Sequence, residues 1–120
     1  MHELAICQSL LGEVEAVARA RSASSVTEIY INIGPLSGVE APLMHSAFPV
    51  AAAGTIADGA TLHVEETPVR VSCRACGAES QAAVNRLVCA ECGNWRTELV
   101  SGDELILQRI GMRTDQAEIA

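Results

Sequence analysis

The sequence predicts an α+β fold, a small three-stranded sheet with two helices, carrying a cysteine-rich domain inserted between two of the strands. Three observations predict it. Apolar residues recur at three- and four-residue steps in two stretches and alternate in three others. Four of the five cysteines crowd into one segment that follows neither pattern.

From Leu4 to Arg21 the apolar positions Leu4, Cys7, Leu10, Leu11, Val14, Val17 and Ala18 fall on one helical face. Arg19 and Arg21 stand at its end, where cations suit the helix dipole. Ser22 to Ser25 read as a polar connection. Val26 to Ile33 reads as a strand, with Val26, Ile29, Ile31 and Ile33 apolar and β-branched, ended by Gly34-Pro35. A second helix is expected over Glu40 to Ala53, with Leu43, Ala47 and Val50 on one side. Pro42 fits its first turn, but Pro49 should kink or end it, because proline cannot supply an interior helix hydrogen bond.

Gly54 to Gly59 reads as a loop and Ala60 to Thr67 as the second strand, alternating through Leu62 and Val64 and closed by Pro68. Glu104 to Ile110 alternates again and is the third strand. The polar tail from Gly111 is expected to fray. The division is therefore discontinuous: 1–68 and 100–112 make one α/β domain, 69–99 the inserted domain, and 113–120 a flexible tail.

Composition narrows the function. Nearly half of the 120 residues are apolar, yet Tyr30, Phe48 and Trp95 are the only aromatics, so the core is aliphatic. A chain this short buries a limited share of its surface, and a metal staple would help it. The formal charge is −7 and the chain has no lysine; nucleic-acid binding needs clustered cations, and Arg70, Arg74, Arg86 and Arg96 are scattered. His2 and Glu3 precede any apolar stretch, and no run reaches the roughly 18 residues a bilayer span requires. The expected protein is soluble and cytoplasmic, where paired cysteines read as metal ligands or redox thiols before disulfides.

Cys73-Arg-Ala-Cys76-Gly and Cys89-Ala-Glu-Cys92-Gly are two matching knuckles. In each turn both sulfurs can converge on one ion, and the glycine accommodates the tight bend. Four thiolates match tetrahedral zinc; a rubredoxin-like iron site uses the same set, whereas a redox motif needs a single pair. The twelve residues between the pairs suffice for a short hairpin, which makes the unit zinc-ribbon-like. Such a site is closed and structural, because four protein ligands leave no open position. Cys7, on an apolar helical face, reads as a small buried hydrophobe.

The opening Met1-His2-Glu3 offers a second metal site. The terminal amine, the deprotonated amide of His2 and its imidazole can chelate one ion in a nitrogen-rich plane that suits Ni(II) or Cu(II). Glu3 could add an oxygen or a hydrogen bond to a ligand. On the residues alone, a histidine near a terminus is more often solvated and inert. His63 should point outward from its strand, and His45 has no partner at ligand spacing.

Together these features resemble the hydrogenase maturation nickel metallochaperones of the HypA/HybF family over nearly the whole chain. The match is carried by Met1-His2-Glu3 and its helix, Ile31-Asn32-Ile33-Gly34, Gly59-Ala60-Thr61-Leu62 with Pro68, the two CxxC pairs, and Ser101-Gly102-Asp103-Glu104-Leu105. The resemblance implies that His2 binds transferable Ni(II) with the Met1 amine and the Glu3 region, that the α/β domain is the nickel-binding one, and that Cys73, Cys76, Cys89 and Cys92 hold structural Zn(II). It also implies delivery to the large subunit of [NiFe]-hydrogenase with a partner GTPase, and in some relatives to urease maturation proteins. The sequence departs from the family around Phe48-Pro49-Val50, which has less aromatic character. Neither nucleic acid nor membrane is an expected partner. The alternative is a zinc-ribbon interaction module without nickel transfer; a catalyst is not expected, since no nucleophile-plus-base pair, carboxylate pair or phosphate-cradling loop is visible.

Overall fold

The computed structural model describes residues 2–114, His2 as backbone only. Helix α1 spans His2–Ala20, strand β1 Ala23–Ile33, helix α2 Ala41–Ala52 and strand β2 Thr61–Glu66. The short strands β3 (Arg70–Cys73), β4 (Glu79–Gln81) and β5 (Thr97–Ser101) follow, and β6 covers Leu105–Thr114. They form two three-stranded sheets, in the orders β2-β1-β6 and β4-β3-β5. The expected α+β architecture with its inserted cysteine domain is what the chain adopts.

Two compact units result. Among the described residues, the first gathers 2–31, 40–64 and 107–114; the second gathers Asn32–Val39 and Glu65–Ile106. In the first, the α1 face is buried at Cys7, Leu10, Leu11, Val14 and Ala18, while Val17 stays partly exposed. Val26, Ile29 and Ile31 of β1 and Leu62 of β2 are buried with them. This is the aliphatic core expected from a chain nearly without aromatics.

The α2 face differs from the expected one. Met44, Phe48 and Ala52 are buried, whereas Leu43 and Val50 are exposed. Met44 and Phe48 carry more apolar area than the Leu43–Ala47–Val50 side, so burying their stripe stabilises the helix more. The same burial explains why Pro49 does not end α2, which runs three residues further. Proline removes one backbone bond, and the inward Phe48 and Ala52 hold the last turn in place.

Both long strands exceed the expected lengths at their polar ends. β1 starts at Ala23 and β6 ends at Thr114, and each extension supports the other. The Ser24 hydroxyl donates to the Arg113 carbonyl and the Thr27 hydroxyl to the Gly111 carbonyl, both at 3.2 Å. The residue sums are nearly constant along the pair, so β6 runs antiparallel to β1. Ser22, with φ of 53°, makes the tight turn from α1 into β1. Residues 111–114, expected to fray, are strand; the rest of the expected tail lies outside the described residues.

In the second unit β3 is central and antiparallel to both neighbours, with Val71 opposite Ser80 on β4 and Leu99 on β5. The register shifts between Arg70 and Val71 on the β5 side. Ile33, Val39, Val69, Val71, Cys73 and Cys89 are its buried residues of apolar type, a small set for a unit of this length.

Candidate metal centre

Each cysteine pair is a backbone-built knuckle, and the two are near copies. The amides of Ala75 and Cys76 donate to Cys73 Sγ at 3.3 and 3.4 Å; those of Glu91 and Cys92 donate to Cys89 Sγ at 3.3 and 3.5 Å. Gly77 and Gly93 close the turns onto the carbonyls of Cys73 and Cys89, both at 2.9 Å. Their φ angles of 78° and 76° are the left-handed region that glycine enters without strain. Cys73 lies at the end of β3, where its amide donates to Ala78, just as the Cys89 amide donates to Asn94.

The knuckles face each other. The Sγ atoms of Cys73 and Cys92 are 3.6 Å apart, as are those of Cys76 and Cys89, and all four lie within 4.8 Å of one another. A tetrahedron with Zn–S bonds of about 2.3 Å has edges of about 3.8 Å, so the two 3.6 Å edges match zinc. None of the four is in a disulfide. Among the described residues it is the one group of three or more histidine, cysteine or acidic side chains placed to hold a metal.

Electrostatics follow the same geometry. The Cys92 amide, and after it that of Glu91, hold the Cys89 thiol down at about 6, against burial. The Cys76 amide does the same for Cys73, which is also lowered. Cys76 is pushed up to about 12: the Ala78 amide pulls it down, but the Cys89 thiol, burial and the other two sulfurs outweigh it. Cys92 is raised likewise, the Asn94 amide being outweighed by its neighbours. Without an ion, protons must hold these sulfurs apart; a divalent cation replaces them and satisfies all four. Four ligands close the coordination sphere, so the centre holds shape and has no position for cargo.

Two supporting contacts were not legible in the sequence. The buried Ser80 hydroxyl accepts the Ala90 amide at 3.0 Å, tying β4 to the second knuckle. Thr97 donates its hydroxyl to the Leu87 carbonyl at 2.8 Å, bracing the same knuckle from β5. A polar residue in a short strand gives no local signal of such a long-range partner.

Of the amino-terminal candidates, Met1 and the His2 side chain lie outside the described residues. Glu3 is buried in the first turn of α1. Burial, and after it the Glu3 carboxylate, push the Cys7 thiol up, so Cys7 stays protonated. Its Sγ sits 3.9 Å from Met44 Sδ in the core, the hydrophobic role expected for it. His45 is exposed on α2. His63 is not alone: it stacks on Tyr30 at 4.3 Å and meets Glu28 at 3.2 Å, and Arg109 covers the Tyr30 ring at 4.1 Å. That cluster depends on strand order, which the sequence does not state.

The family described as "Hydrogenase/urease nickel incorporation, metallochaperone, hypA" matches residues 1–112. The hydrogenase maturation factor HypA of Nitrosospira multiformis is 45% identical over 95% of this chain and 99% of its own length. That of Aquifex aeolicus is 38% identical over 96% of this chain and all of its own. The solution structure of the Ni metallochaperone HypA from Helicobacter pylori covers 94% of this chain and 98% of its own, with a TM-score of 0.70 at 23% identity. A second HypA solution structure covers 96% and 98%, with a TM-score of 0.73 at 24% identity; both likenesses concern the fold.

Proposed function

This chain belongs to the HypA family of hydrogenase/urease nickel-incorporation metallochaperones, and from that membership we propose that it binds Ni(II) at its amino terminus and delivers it during maturation of [NiFe]-hydrogenase. Nickel is cargo here, and zinc the resident metal. The Met1 amine, the His2 amide and the His2 imidazole are the nickel ligands, with Glu3 contributing an oxygen or a hydrogen bond. Cys73, Cys76, Cys89 and Cys92 hold zinc.

The observation that carries the reading is the chemistry of the two donor sets. The thiolate site is closed, so a family that transfers nickel needs another set of ligands in the same chain. Met1-His2 supplies three nitrogens on adjacent residues, a geometry that favours Ni(II). These ligands are titratable and can be withdrawn one at a time, which suits release. The recipient is the hydrogenase large subunit, with a GTPase as maturation partner and urease maturation proteins as further candidates. The protein works in the cytoplasm as a carrier rather than a catalyst. Among its described residues no helix is long and apolar enough to cross a membrane.

The test is nickel titration of the zinc-loaded chain beside His2→Ala. The variant is expected to lose the nickel equivalent while keeping its zinc. In the wild type, nickel affinity is expected to fall as pH drops from about 8 toward about 6, because protons compete first for the amine and then for the imidazole. Equal nickel uptake by both chains removes His2 from the site, and no uptake by either leaves the interaction-module reading.

A further inference from the structure

We propose that the groove beside the first knuckle, lined by Arg74, Ala75, Asn94, Trp95, Arg96 and Thr97, binds a short acidic peptide segment of a partner protein, with Trp95 as the apolar platform and Arg96 as the main carboxylate receptor. The groove has a volume of about 510 Å³, enough for a few side chains. Trp95 is 73% exposed, although it is one of only three aromatics in the chain. Leaving that ring in water forgoes stabilisation that burial would give, and it leaves an aromatic face open for stacking beside a cation.

The exposure is built in. The Arg74 amide donates to the Arg96 carbonyl at 2.9 Å, the Thr97 amide to the Trp95 carbonyl at 2.9 Å, and the Arg96 amide to Asn94 Oδ1 at 2.8 Å. These bonds fix the backbone on both sides of the ring. The Arg96 guanidinium lies 5.5 Å from the indole centroid, which orients its charge along the groove.

Charge selects the occupant. Two of the groove's six lining residues, Arg74 and Arg96, are cationic and none is acidic. Arg74 already pairs with Glu98 on the surface. Its pair with Glu98 is solvated and exchangeable for another carboxylate. Arg96 has no carboxylate partner among the described residues, so it is the receptor left open. A guanidinium beside an indole takes a carboxylate flanked by an apolar side chain, the pattern of an acidic-apolar peptide. Nucleic acid fits less well, because a polyanion needs more cations than the groove offers. The proposal does not rest on the nickel reading.

Trp95 is the sole tryptophan, so its emission reports on this groove. The zinc-loaded chain is titrated with a capped hexapeptide alternating Glu and Leu, with the same peptide carrying Lys for Glu, and with an eight-residue oligothymidylate. The Glu–Leu peptide is expected to give a saturable blue shift, weakened about tenfold in Arg96→Ala and Arg96→Gln, as for loss of a charge-assisted contact at an interface. Both variants change an exposed side chain and should retain zinc and bind nickel as the wild type does. The proposal is overturned by no saturable shift with the Glu–Leu peptide. An equal shift with the Lys–Leu peptide or the oligonucleotide, or unchanged affinity in zinc-retaining variants, overturns it as well.

Discussion

Cys89→Ser is expected to abolish zinc binding and unfold the second unit. Cys89 is 1% exposed and sits among the few buried residues there, alongside Val69, Val71 and Cys73. A core that small contributes little against the ordering of some fifty residues. Zinc binding to a four-ligand site supplies about 10–16 kcal/mol of apparent free energy, which in this unit is folding energy. Serine keeps the shape but not the soft, ionised donor, and the Glu91 and Cys92 amides lose the thiolate they point at. Zinc analysis should show one ion per wild-type chain and close to none in the variant. The β4-β3-β5 amide resonances should collapse toward random-coil shifts. Helical circular dichroism from α1 and α2 should persist, because their buried faces lie in the other unit. A folded β4-β3-β5 sheet in a zinc-free variant would show that the cysteines are not what holds it.

Gly34→Ala is expected to be the most damaging substitution that touches no metal ligand. A Cβ at position 34 would stand 2.1 Å from both the carbonyl carbon and the oxygen of Gly102, and 2.7 Å from the Asp103 nitrogen. All three are backbone atoms, so no rotamer relieves the clash. The strand end and the 102–104 segment would have to separate, straining the Gly34 amide bond to Glu104 (2.9 Å) and the Leu36 amide bond to Gly102 (2.6 Å). Overpacking and two weakened buried hydrogen bonds together cost about 4 kcal/mol. For a chain of this size that lowers the melting temperature by roughly 15 °C or more. Thermal unfolding of the zinc-loaded variant measures it; a midpoint within about 3 °C of wild type would mean that the close approach is absent.

Gly34 also shows where reading the sequence stops. Its position after β1 marks it as a strand terminator, but its real constraint comes from Gly102, nearly seventy residues away. The knuckles were legible because every contact that shapes them is local: two cysteines, the amides between them and one glycine. Helix α1 was legible because its buried face follows the 3.6-residue period. The polar ends of β1 and β6 were not, since Ser24, Thr27 and Arg113 pair through hydroxyls and carbonyls that hydropathy does not register. In α2 two apolar stripes competed, and only packing decided for Met44 and Phe48. His63 acquired Tyr30 and Glu28 as neighbours through strand order, and Ser80 its role through the fold of the second knuckle. The proposed amino-terminal site belongs to a third kind: its chemistry is local, and only the family gave it weight.

The central claim is that nitrogen donors at the chain's start hold the transferable ion while the sulfur site is structural. The most direct test blocks the α-amine and leaves everything else in place. Nickel uptake by the zinc-loaded chain starting at Met1 is compared with that of the same chain carrying three added residues before Met1. Three are needed, because a single added residue would leave an amine, two amides and the His2 imidazole able to chelate nickel again. The account predicts one nickel ion per chain for the first and none for the second, with zinc content equal in both. Undiminished nickel binding by the extended chain would contradict it.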